Sequence, residues 1–215
     1  MLLWQTINDP EKSRPAMLEI KDTTMKKLIF FMHITLDGYV AGPKGEMDWI
    51  NLPDSLFDFV GTLTAEADVA LYGRKTYQMM QSYWPTAGEK PNATKHDKEH
   101  SEWYNQVKKI VLSKSKEGIE SKNTTIISEN LSENINNIKN QAGKNILVFG
   151  SPTAVQSLLK ENLIDEFWLS VNPILLGAGL TLFEKLTSIM KLKFLDSKNF
   201  PGGIVLLHYG KGEII

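Results

Sequence analysis

Ile146-Leu147-Val148-Phe149-Gly150-Ser151-Pro152-Thr153-Ala154 is the stretch on which the fold turns. Four apolar residues in a row, Ile146 to Phe149, suit a strand buried on both faces, and a glycine closes them. Ser151 stands where a helix is capped, and Pro152 takes the first helical position. A strand that passes through glycine into a helix is the βα step of an α/β sheet. The N–H groups of Thr153 and Ala154 would then point at whatever lies above the strand end.

Working outward, Leu71-Tyr72-Gly73-Arg74-Lys75-Thr76-Tyr77 repeats the step, with two cations and a hydroxyl opening the helix. Strand-like runs fall at 28–34, 68–72, 109–113, 124–127 and 145–149, and helices are expected at 54–66, 74–82, 97–106, 131–141 and 152–161. The 79–94 stretch, with Pro85, Gly88 and Pro91, reads as a mobile loop. After Asp165 the rhythm changes. Phe167-Trp168-Leu169-Ser170-Val171, 192–197 and 203–209 are strands without long helices between them, and Pro201-Gly202-Gly203 supplies a hairpin turn. A mostly parallel sheet with an antiparallel end follows. Residues 25–215 read as one domain, and residues 1–24 as a peripheral extension.

Composition narrows the function. Lys plus Arg number 24 and Asp plus Glu 25, a formal net charge of −1, so no global field recruits nucleic acid or an anionic membrane. Cysteine is absent, which removes disulfides, thiolate metal sites and cysteine nucleophiles and fits a reducing compartment. No apolar run has the length of a membrane span, and the charged first 24 residues lack the form of a secretory signal. The expectation is a soluble, cytoplasmic protein that acts on a small molecule.

Open α/β sheets bind ligands beyond the carboxyl ends of their strands. Gly73-Arg74-Lys75-Thr76 and Gly150-Ser151-Pro152-Thr153-Ala154 are two such ends, and Ser113-Lys114 after Ile110-Val111-Leu112 is a third. Each has a plain alternative: Gly73 turns the chain, Arg74 and Lys75 are solvated, and Ser113 and Lys114 begin a loop. Together they suit an extended, multiply charged ligand such as a dinucleotide. Gly177-Ala178-Gly179 lacks the third glycine of the Rossmann loop, so that site is disfavoured.

These residues resemble the dihydrofolate-reductase-like fold, and within it the reductase domain of the riboflavin-pathway deaminase-reductase. The resemblance covers nearly all of 25–210. It runs in order through Thr35-Leu36-Asp37-Gly38-Tyr39-Val40-Ala41, Met47-Asp48-Trp49, Gly73-Arg74-Lys75-Thr76-Tyr77, Phe149-Gly150-Ser151, Leu163-Ile164-Asp165-Glu166 and Pro173-Ile174-Leu175-Leu176-Gly177-Ala178-Gly179. It implies a three-layer α-β-α sandwich around a mixed, mostly parallel sheet with antiparallel C-terminal strands. It also implies NADPH across the strand ends: Arg74, Lys75 and Thr76 at the adenosine phosphate and pyrophosphate with Ser113 and Lys114 nearby, and Gly73 approached closely. Gly150, Ser151, Thr153 and Ala154 would hold the pyrophosphate from the other side. His33, Ile34, Val40 and Ala41 would border the nicotinamide, and Trp49 would line the substrate cavity.

Two departures matter. Dihydrofolate reductases carry an acid in a Leu-Pro-x-Asp arrangement, whereas Leu52-Pro53-Asp54-Ser55 places it one position early, a turn of about 100 degrees on a helix. Where the family shows two adjacent glycines this chain has Gly150-Ser151, which resists the turn but adds a hydroxyl. With no cysteine for the deaminase zinc, a free-standing reductase of a small heterocycle or imine is expected, with Asp37, Asp48, Asp54 or ordered water delivering the proton. The rival reading is a nucleotide-binding module without turnover. His96-Asp97-Lys98-Glu99-His100 also matches the H-x-x-E-H pattern of a zinc protease, against the plainer reading of a solvated helix face. His33 is read as a core histidine or a proton donor, and Asp37 before Gly38 as a turn or a functional acid. The antiparallel strands and the Phe167-Trp168-Leu169 run suggest a homodimer, though those side chains also suit a core.

Overall fold

The computed structural model describes residues 25–119, 122–184, 186 and 189–214. The expectations for residues 1–24 lie outside the described residues. The chain forms β1 (Leu28–Thr35), β2 (Tyr39–Ala41), α1 (Asp54–Ala65), β3 (Ala67–Gly73), α2 (Arg74–Ala87), α3 (Lys95–Gln106), β4 (Lys108–Leu112) and β5 (Thr124–Ile127). It continues through α4 (Leu131–Lys139), β6 (Asn145–Phe149), α5 (Pro152–Lys160), β7 (Glu166–Asn172), β8 (Leu180–Thr181), β9 (Met190–Phe200) and β10 (Ile204–Ile214). Eight strands build one sheet in the order β5-β4-β3-β6-β1-β7-β10-β9. The pairs from β5 to β7 are parallel, while β10 runs antiparallel to both β7 and β9.

Alternation along the central strands assigns the two covering layers. In β1, Leu28, Phe30 and Met32 pack with Ile135 of α4 and with Val155 and Leu158 of α5. Ile29 and Phe31 pack on the other face with Val60 of α1, Tyr77 of α2 and Tyr104 of α3. β6 splits the same way, Ile146 and Val148 to one side and Leu147 and Phe149 to the other. Strands buried on both faces need apolar residues at every position, which is why their sequences read as continuous runs. The result is the three-layer sandwich, with α1, α2 and α3 on one face and α4 and α5 on the other.

Three expectations change. The 79–94 stretch is no loop at its start, since α2 continues through Pro85 to Ala87. Proline is tolerable in the closing turn, and its carbonyl accepts from Asn105 Nδ2 at 3.0 Å. α3 begins earlier than 97 because Thr94 and Asp97 form a reciprocal capping box. Phe167, Trp168 and Leu169 are core, at 1%, 8% and 7% exposure, so this run offers no dimer surface. Exposed apolar surface lies instead on the edge strand β9, where Phe194 is 58% exposed.

Candidate active site

The parallel strands bring two sequence-distant junctions to one edge. β3 ends at Gly73 and leads directly into α2, and β6 ends at Phe149 and reaches α5 through Gly150 and Ser151. The two junctions touch: the Gly73 N–H donates to Ser151 Oγ at 3.0 Å. Gly150 and Ser151 both take the left-handed conformation, at φ 56° and 61°. That is costly for serine, and the bond to Gly73 offsets part of the cost. A Cβ on Gly73 would meet the Ala154 Cβ at 3.4 Å, ordinary van der Waals contact, so the two junctions pack closely.

Neither α2 nor α5 has a side-chain cap at its N-terminus. Their first-turn N–H groups therefore open onto the space between them, which is the arrangement a pyrophosphate would use. Arg74, Lys75, Thr76 and Thr153 line that space. Arg74 is steadied from behind by Glu117 at 3.5 Å. The chemistry of this donor set fits a dinucleotide, with hydroxyls, cations and unpaired N–H groups on one side of a glycine-lined approach.

The same space runs on into a cleft of about 1210 Å³. Val40 and Ala41 of β2 border it, held there by a clasp that joins two of the segments singled out in the sequence. Asp37 accepts from Thr35 Oγ1 (2.6 Å), from Leu176 N and from Gly177 N (2.8 Å). Leu36 N bonds Ile174 O, and Leu182 N bonds Gly38 O. Gly179 passes so close to Ala41 that a Cβ would collide with its carbonyl oxygen. The Thr35–Ala41 turn and the 173–182 segment are thus one structural unit. The Thr35 hydroxyl, with the Gly177 and Leu176 N–H groups, draws the Asp37 carboxyl below its ordinary range even though burial pushes the other way.

Of the expected site residues, His33, Val40, Ala41, Gly73, Arg74, Lys75, Thr76, Gly150, Ser151, Thr153 and Ala154 line this one cleft. Ile34 does not. It follows His33 on β1 and packs against the core on the α4–α5 side. Ser113 is turned into its own loop, where its hydroxyl bonds Ser115 O at 2.6 Å, and Lys114 is exposed outside the lining. Trp49 gives way to its neighbours Met47 and Ile50, which do line the cleft.

The carboxylates need the largest correction. Among the described residues no Asp or Glu lines the cleft. Asp37 is occupied by the clasp. Asp48 is exposed outside the lining. Asp54 opens α1 with its side chain 95% exposed, 3.7 Å from His96. The one-position offset in Leu52-Pro53-Asp54 has the consequence that helical geometry gives it.

Sequence reasoning missed His100. His96 and His100 share a helix, but His96 stacks on Phe57 at 4.9 Å while His100 is wedged against Trp84 at 4.0 Å and lines the cleft. Among the described residues no group of three or more His, Asp or Glu side chains is placed to hold a metal ion. Burial lowers both His33 and His100 to about 4, so both imidazoles are neutral at pH 7. The spacing of His100 from Trp84 and Trp103 was visible in sequence; its tertiary neighbours were not.

The profile of the RibD C-terminal domain family matches residues 26–206. In Bacillus subtilis (strain 168), "Uncharacterized protein YyaP" is 32% identical over 186 residues, covering 86% of this chain and 94% of that one. Among solved structures, the "Putative riboflavin biosynthesis protein" of Shewanella sp. PV-4 superposes with a TM-score of 0.68 at 24% identity, covering 87% of this chain and 99% of its own. The diaminohydroxyphosphoribosylaminopyrimidine deaminase/5-amino-6-(5-phosphoribosylamino)uracil reductase of Thermotoga maritima superposes with a TM-score of 0.62 at 16% identity, over 87% of this chain and 57% of that longer protein. At these identities the structural likeness shows the fold.

Proposed function

Because the chain belongs to the RibD C-terminal domain family, we propose that it is a reductase that uses NADPH to deliver a hydride to a small heterocyclic or imine substrate. The observation that carries this reading is the meeting of two uncapped helix N-termini, with Arg74, Lys75 and Thr76, at the mouth of an otherwise apolar cleft. Bound there, NADPH supplies the hydride. The chain's own residues bind and orient: first-turn N–H groups of α2 and α5 take the pyrophosphate, and Arg74 with Lys75 takes the 2′-phosphate. Val40 and Ala41 border the ring. Phe31, Phe57, Met80 and Phe149 exclude water from the reacting face. With no carboxylate on the cleft wall among the described residues, the proton comes from solvent admitted at the cleft mouth. The reading includes a cytoplasmic location and a homodimer, and the exposed apolar side chains of the β9 edge support the dimer alone.

The absence of a carboxylate on the wall among the described residues also favours a second reading, a nucleotide-binding module of the same fold without turnover. One experiment separates them. Reduced cofactor is titrated by protein fluorescence, and its oxidation is then followed against a panel of pterins, pyrimidines and quinones. Saturable NADPH binding with oxidation supports the reductase. Binding without oxidation on every panel member supports the module, and failure to bind either nicotinamide dinucleotide rejects both.

A further inference from the structure

The inner half of the cleft has a chemistry that the phosphate-facing edge does not use. Its floor is Phe31 and Phe149, and its walls include Phe57, Met80 and Trp84. The charged side chains that line the cleft among the described residues are Lys44, Arg74 and Lys75. Arg74 and Lys75 belong to the start of α2. Lys44 stands exposed on the mouth loop, where its N–H bonds the Glu46 carboxylate at 2.8 Å. An anionic group carried into the inner half would leave water without gaining a cation.

Two polar groups do reach this half. His33 lies 5.0 Å from Phe31, Phe31 lies 5.9 Å from Phe149, and Phe149 lies 5.8 Å from His100, centroid to centroid. The imidazoles therefore bracket an aromatic floor. Each has one nitrogen shut away from solvent with no hydrogen-bond partner, Nδ1 in His33 and Nε2 in His100. A neutral imidazole carries one N–H, and a buried N–H without an acceptor is the rarer and costlier orphan. The proton accordingly belongs on the opposite nitrogen, His33 Nε2 and His100 Nδ1, the atoms left to the cleft. The tautomers follow from this hydrogen-bond argument. Both rings then offer a donor.

We infer that the inner half of the cleft takes a flat, uncharged ring system with hydrogen-bond acceptors such as carbonyl oxygens at its rim, and rejects ring compounds that carry a phosphate. The inference rests on the reading of this cleft as the reductase's substrate site. The aromatic floor supplies the contact area, and His33 and His100 select for acceptors.

The test is direct binding to the full chain, read by tryptophan fluorescence, since Trp84 lines the cleft. The probes are 1,4-naphthoquinone, naphthalene, which has the same rings without acceptors, and uridine 5′-monophosphate, a pyrimidine with a phosphate. The chain has no cysteine, so the quinone meets no thiol. Naphthoquinone is expected to bind about tenfold or more tightly than naphthalene, the worth of one or two hydrogen bonds, and uridine 5′-monophosphate, whose phosphate the N-termini of α2 and α5 can take, is expected not to displace naphthoquinone. His100→Phe should weaken naphthoquinone about tenfold and leave naphthalene unchanged, and His33→Leu should do the same. Displacement of naphthoquinone by the nucleotide, no binding of naphthoquinone, or equal weakening of both ring probes by the histidine variants would overturn the inference. The wild-type comparison needs no variant to fold. All of these readings are taken without cofactor, so a failure of NADPH to bind rejects the reductase reading and is distinguishable from a failure here.

Discussion

Replacing Ser151 tests the junction between the two helix N-termini, and the structure sets opposing terms for two substitutions. Ser151 sits at φ 61° and ψ 59°, a conformation that costs a residue with a Cβ roughly 1–2 kcal/mol. Its hydroxyl accepts the Gly73 N–H at 3.0 Å, a bond worth about 1 kcal/mol, and losing the acceptor leaves that N–H to be satisfied by water or not at all, at roughly 1–3 kcal/mol. Ser151→Ala keeps the backbone strain and loses the bond, so it should destabilise by about 1–3 kcal/mol. Ser151→Gly loses the same bond but relieves the strain, less roughly 0.5–1 kcal/mol for the freedom glycine gains in the unfolded chain. The glycine variant should therefore be the more stable of the two by on the order of 0.5–1 kcal/mol, near 2 °C in Tm for a chain of this size. Urea unfolding of the wild type and both variants, with m-values compared, measures the difference. A glycine variant less stable than the alanine variant at equal m would mean that the left-handed turn carries no strain, and the reasoning would fail.

Arg74→Ala should weaken NADPH about tenfold and leave NADH nearly unchanged, because it removes a charge-assisted contact to the extra phosphate from a side chain already partly solvated and shared with Glu117. Isothermal titration with both cofactors decides, and equal loss for the two would move Arg74 to the pyrophosphate. Asp37→Asn should lower Tm and expose the 173–179 segment to protease, since an amide keeps one acceptor for the Leu176 and Gly177 N–H groups but loses the charge that strengthens those bonds. Because the Asp37 pKa is lowered in the folded state, its contribution is present above the ordinary carboxylate range and is lost as pH falls through the depressed value. His33 and His100 act in a higher window. Their folded pKa of about 4 lies below the unfolded 6.5, so the unfolded state binds more protons, and stability is intact above pH 6.5 and falls as pH drops toward 4. At about 1.4 kcal/mol per unit, each contributes at most on the order of 3 kcal/mol. His100→Phe should flatten that limb of an acid titration, and an unchanged limb would show that His100 is solvated.

How much of this was legible in the sequence depends on which interactions are local. β1, β3, β4 and β6 are buried on both faces and announce themselves as apolar runs, and Pro201-Gly202-Gly203 marks its own turn. Gly73 and Gly150 mark the two βα junctions, and helix starts there are encoded within a few residues. β2 and β8 are too short to carry a pattern, and α2 overran the expected loop because Pro85 stands only two residues before the helix ends, where it costs little helix and its carbonyl bonds Asn105, twenty residues on. The carboxylates show the deeper difficulty. Asp37 followed by Gly38 reads equally as turn and as catalyst, and only its contact with Leu176 and Gly177, nearly 140 positions away, assigns it to a clasp. His100 looked like a solvated face because α3 is polar, and Trp84 and Phe149, which enclose it, lie in other elements.

The central claim is that the N-termini of α2 and α5 form one anion site for a nicotinamide dinucleotide. Amide ¹H–¹⁵N spectra of the full chain during NADPH titration test it most directly. Saturable shifts concentrated at Lys75, Thr76, Thr153 and Ala154, and missing when nicotinamide alone is added, are the expected result. Spectra in which those four amides stay in place at saturating NADPH, whether or not others move, would contradict it.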